Sequence, residues 1–150
     1  MNKIADILRE CSITLWVGGL WIVGFMVAPL LFSTLSESRA LAGALAGVMF
    51  KGIAWVGIAC GSFLLLHELL SARAASLKRL VFWLVLMMLT ITIIMQFWLQ
   101  PFVIALRAMG APVETLAFPA LRSFAFWHGI SSALYLLQGM LGLALVLKSR

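Results

Sequence analysis

The chain has 150 residues, 64% of them hydrophobic and only 16 charged (11 Lys and Arg plus 5 Asp and Glu), and its mean hydropathy is +1.13. That leaves too little polar surface to cover a water-soluble globule, so most of the chain must be solvated by lipid. The net charge of +6 is carried by basic residues scattered singly, without a patch interleaved with stacking aromatics. This excludes a nucleic-acid partner and makes the lipid bilayer the first partner.

Long apolar stretches recur at about 12–34, 41–70, 79–104 and 122–147. Each meets the roughly 20 residues that a helix rising 1.5 Å per residue needs to cross hydrocarbon. Barrel strands would alternate, whereas these stretches are continuously apolar, and lipid offers an unpaired backbone no partner. The expected fold is all-α: a polytopic membrane protein, one domain over residues 1–150, forming an antiparallel bundle of four transmembrane helices.

Ahead of the first span, "MNKIADILRE" spaces Ile4, Ile7, Leu8 and Cys11 by threes and fours, which predicts a short interfacial helical turn. The span itself exceeds a signal-peptide core and lacks a convincing cleavage site, so it is expected to persist as an anchor. Gly18, Gly19 and Gly24 lower its bulk at mid-membrane, and Pro29 should bend its outer end. The second span pairs Gly43 with Gly47 and Gly57 with Gly61 at four-residue spacing. Such faces serve packing within the bundle, or docking to a membrane-protein partner or a second copy. "LSARAASLKRL" reads as a short basic turn, and "RAMGAPVETLAFPALRS", with Gly110, Pro112 and Pro119, as an irregular outer loop.

The basic residues report orientation. Lys3, Arg9, Arg73, Lys78, Arg79, Lys148 and Arg150 fall on one side, and Arg39, Lys51, Arg107 and Arg122 on or towards the other. The excess predicts two cytoplasmic termini, in the bacterial inner (cytoplasmic) membrane. Trp16 and Trp83 are expected near the inner interface and Trp98 and Trp127 near the outer one, with Trp21 and Trp55 as deeper packing residues. Cys11 and Cys60 have no metal or disulfide spacing and read as small packing residues.

The fourth span carries the unusual feature. At 100° per residue, His128, Ser132, Tyr135, Gly139 and Gly142 share one face, flanked by Ser131 and Gln138, while Thr92, Gln96, Gln100 and Arg107 share a face of the third span. Counting 1.5 Å per residue from the outer ends puts His128 about 9 Å deep, Gln96 and Gln100 about 12 and 6 Å deep, and Lys51 about 15 Å deep. They occupy one layer. Polar side chains at that depth are costly unless they find partners or water, so the layer is either an outer-leaflet pocket or hydrogen-bonded glue between helices. The candidate ligand-binding residues are His128, Ser132, Tyr135, Gln96, Gln100 and Lys51, with Lys51 alternatively snorkelling outward. With no carboxylate among them, an anionic or neutral polar ligand suits them better than a divalent cation.

No catalytic residue, cofactor or metal site is expected. His67 and His128 should differ by roughly 30 Å in depth, too far to share a haem, and His67 reads as an interfacial pair with Glu68. Two histidines and two cysteines without a buried carboxylate pair do not suit metal transport, and Ser131 and Ser132 beside His128 lack an acidic orienter and an oxyanion hole.

The segments "LWVGGLWIVGFMVAPLLF", "RALAGALAGVMFK", "QPFVIALR" and above all "HGISSALYLLQ" resemble an uncharacterised four-helix membrane family, a domain of unknown function that includes human transmembrane protein 205. That resemblance covers nearly the whole chain. His128, Gly129 and Ser131 match the family's fourth-helix pattern, but Tyr135 stands where asparagine is typical. The resemblance implies a membrane location and this topology, and its human member's link to drug resistance hints at transport or trafficking. The architecturally similar copper-resistance D-type and protoporphyrinogen-oxidase-like proteins ligate through a first-helix histidine that has no counterpart here. The resulting expectation is a non-enzymatic membrane protein with an outer-leaflet pocket for a small ligand or solute. The alternative is an accessory or assembly subunit packing through its small-residue faces.

Overall fold

The computed structural model describes residues 3–109 and 124–149. It is helical throughout, with no strand among the described residues, and four of its helices are long and apolar enough to cross a membrane. Helix α1 runs as Lys3–Trp21, a π-helical turn Ile22–Val27, and Ala28–Thr34. Helix α2 is Arg39–Ala72, followed by a 3-10 segment Arg73–Lys78. Helix α3 runs as Leu80–Ile94, a second π-helical turn Met95–Leu99, and Gln100–Met109. Helix α4 is Phe124–Lys148. The expected interfacial turn before the first span is simply the start of α1. The expected outer loop begins as helix, since 107–109 continue α3, and the rest of it, with Gly110, Pro112, Pro119 and Arg122, lies outside the described residues, as does the side chain of Arg107.

The helices pack in a ring, α1 on α2, α2 on α3, α3 on α4 and α4 on α1. Neighbours are antiparallel. Arg9 near the start of α1 meets Glu68 near the end of α2 and the Ser149 carbonyl after α4, while Phe102 late in α3 meets Trp127 early in α4. At 1.5 Å per residue the 34-residue α2 is about 50 Å long, more than hydrocarbon requires, so it tilts or projects.

The core is centred on Trp16, which is wholly buried with Met88, Val85 and Leu145. Gly57 and Gly61 of α2 make room for it: a β-carbon on Gly57 would collide with the indole nitrogen edge, and one on Gly61 with the far edge of the ring. One small-residue face of α2 is therefore filled from within the bundle. Trp16 is a core residue and not an interfacial one, because these glycines offer it a slot. Trp21 and Trp55, expected to pack inside, are 42% and 51% exposed on the surface that lipid would cover. Cys60 is buried as a packing residue, but Cys11 is exposed. Around the perimeter Ile22, Met26, Leu70, Trp98 and Met140 point outward, the inversion of a water-soluble protein's surface expected where the solvent is hydrocarbon.

At the end that holds both termini, Glu68 is 5% exposed and lies 3.5 Å from both Arg9 and Arg79. Its partners are thus two arginines from α1 and the start of α3, and not His67. The His67 Nδ1 is buried and has no hydrogen-bond partner among the described residues. A carboxylate this enclosed is tolerable only with compensating cations, and the paired guanidinium groups supply them.

Candidate functional site

Two local irregularities shape the opposite half of the bundle. In each π turn the backbone bonds reach five residues back: the Ala28 N–H donates to the Val23 carbonyl, and the Gln100 N–H to the Met95 carbonyl. The next residue in each case is proline, Pro29 or Pro101, which has no N–H to give. The carbonyls of Gly24 and Gln96 therefore lose both helical donors that could have satisfied them, the one four residues on and the one five residues on. The same device occurs once in α1 and once in α3, across the ring from each other.

Between these turns the helices form a half-open cavity of about 440 Å³. Its apolar wall includes Trp16, Phe25, Phe32, Phe50 and Ile53, and its polar wall Gln96, Gln100, His128, Ser131 and Ser132, with Thr92, Tyr135 and Gln138 deeper. Gly24 also lines it, and since glycine has no side chain, its backbone forms that part of the wall.

The polar groups fall into two kinds. Gln138 is 2% exposed and donates from Nε2 to the Thr92 hydroxyl at 2.5 Å and to the Met88 carbonyl at 3.3 Å, joining α4 to α3. Tyr135 donates to the Leu20 carbonyl at 2.6 Å, just ahead of the α1 π turn, joining α4 to α1. Its ring stands edge-on to Phe50 at 5.0 Å and rests on Gly24, where a β-carbon would collide with it. These two residues are interhelical glue. The hydroxyls of Ser131 and Ser132 instead bond back within α4, to the Trp127 and His128 carbonyls at 2.9 Å each. The side chains of Gln96 and Gln100 make no hydrogen bond to a described residue.

Of the residues singled out from the sequence, His128, Ser132, Tyr135, Gln96 and Gln100 border one cavity. Lys51 does not: it is exposed and absent from the lining, on the outward side of α2. His67 and His128 lie at opposite ends of the bundle. Among the described residues no three or more His, Cys, Asp or Glu side chains gather as a metal-binding cluster. The aromatic wall and the freed carbonyls were missed. Their signal in the sequence was the second proline, Pro101, one residue after Gln100.

A ring of four membrane-length helices with a largely apolar pocket that carries one polar wall defines a polytopic helical membrane protein of small-bundle type. The chain belongs to the family of a domain of unknown function, DUF4149, whose model matches residues 11–112. That match covers α1 to α3 and stops before α4, so the histidine-bearing face lies outside it. No curated protein and no solved structure shows a significant match to the chain.

Proposed function

We propose that the protein is a non-enzymatic binding or carrier protein of the bacterial inner membrane, both termini cytoplasmic, whose outer-half cavity takes a small ligand with a polar head and an apolar body. The observation that carries this reading is the cavity: about 440 Å³, within the range of small-molecule sites, with the carboxamides of Gln96 and Gln100, bonded to no described residue, on one wall and aromatic rings on another. Interhelical glue alone would leave those carboxamides bonded to one another. The distribution of Lys and Arg supports the orientation, and the resemblance to the family of human transmembrane protein 205 supports a transport or trafficking role.

A hydrated cavity makes a distinct prediction. Leu136, 50% exposed, borders it, whereas Met140, one turn further along α4 and 62% exposed, does not. With Cys11→Ser and Cys60→Ala as background, Leu136→Cys in a lipid nanodisc should react with a water-soluble maleimide, while Met140→Cys, facing lipid, should not. Equal silence at both positions means a dry cavity and defeats the proposal.

A further inference from the structure

Resting on that reading of the cavity, we infer that its ligand is a hydrogen-bond donor, best a primary ammonium on an apolar body, and not an anion. The inference comes from where each hydroxyl proton goes. A hydroxyl has one proton and two lone pairs. Ser131, Ser132, Thr92 and Tyr135 all donate to backbone carbonyls, at 2.9, 2.9, 2.9 and 2.6 Å respectively. The Thr92 oxygen already accepts from Gln138, and what Ser131, Ser132 and Tyr135 retain towards the cavity is acceptor capacity.

The Gly24 and Gln96 carbonyls, stripped of helical donors by Pro29 and Pro101, add two acceptors contributed by residues that line the same space. Gly24 and Gln96 are half-buried, and backbone carbonyls shielded from water are nearly always paired, so two freed beside one pocket call for a donor. Helix interruptions that turn backbone carbonyls towards a mid-membrane cavity are a general way to hold a cation without a carboxylate. The Gln96 and Gln100 carboxamides present either polarity. The indole N–H of Trp16 is a donor without a partner among the described residues, but it is fully buried against Gly57. Lys51, which would have favoured an anion, does not reach the lining. The rings of Phe25, Phe32 and Phe50 then suit both halves of such a ligand, covering its apolar body and attracting its charge through their faces.

The test uses Leu136→Cys protein in zwitterionic nanodiscs and follows protection of the thiol from maleimide by octylammonium and by octanoate, each at matched membrane concentration measured on nanodiscs without protein. Octylammonium should protect at a concentration about tenfold lower than octanoate, the order expected from one or two charge-assisted hydrogen bonds. Pro29→Ala with Pro101→Ala returns an N–H to each site, a change a helix tolerates, and should collapse the preference towards parity while Leu136→Cys remains reactive. Equal or better protection by octanoate overturns the inference and leaves the cavity standing, as does a preference unchanged in the double variant. A Leu136→Cys thiol that never reacts removes the cavity and the inference together.

Discussion

Gln138 is the side chain on which most depends for its size. It ties α4 to α3 through Thr92 and the Met88 carbonyl at the buried floor of the cavity. Interhelical hydrogen bonds of this kind contribute about 0.6–2 kcal/mol, because the helices separated in lipid also find partners. Gln138→Leu should therefore destabilise the bundle by about 1 kcal/mol in mixed-micelle unfolding. Thr92→Val should cost less in that background than alone, since both changes remove one bond. The helical-wheel reading put Thr92, Gln96 and Gln100 on one face and Gln138 beside another, and these residues do meet around one cavity. It could not tell glue from lining, because that depends on where each proton is donated. Lys51 shows the same limit: its depth along α2 follows from counting, but its direction depends on α2's rotation against its neighbours.

At the scale of the element, an all-helical fold with four membrane-length helices was legible, since hydrocarbon thickness and backbone pairing permit little else, whereas the first helix starts well before the apolar stretch and the third runs past it. The π turns were not legible, because inserting one residue into a helical ladder barely changes the hydrophobic pattern; only the prolines hint at it. The loss of the expected His67–Glu68 pair has a geometric cause. Adjacent residues on a helix point about 100° apart, so Glu68 can turn inward to Arg9 and Arg79 while His67 stacks near Phe63. This makes Glu68 the tie between the ends of α1, α2 and α3. Glu68→Gln should destabilise the protein by about 1 kcal/mol in the same unfolding assay, since it removes the charge that the part-buried Arg9 and the exposed Arg79 face across 3.5 Å. Glu10→Gln, on an exposed neighbouring position, should be near neutral.

For the whole molecule, the ring of antiparallel helices puts both described ends of the chain on one side, and the proposed orientation places that side in the cytoplasm. Ser36, in the turn between α1 and α2, and Ser149, after α4, sit at opposite ends. In intact cells, Ser36→Cys should be labelled by an impermeant maleimide and Ser149→Cys only after the inner membrane is opened; the reverse pattern inverts the topology. The bonds that close the ring also impose an order on its making. Arg9 to Ser149, Trp21 to Gly139 and Tyr135 to Leu20 each join residues more than a hundred positions apart. Helix α1 emerges from the ribosome first, yet its second neighbour is made last. Until then one flank of α1, including the Leu20 carbonyl that Tyr135 will satisfy, stands open to lipid or to whatever escorts the nascent chain.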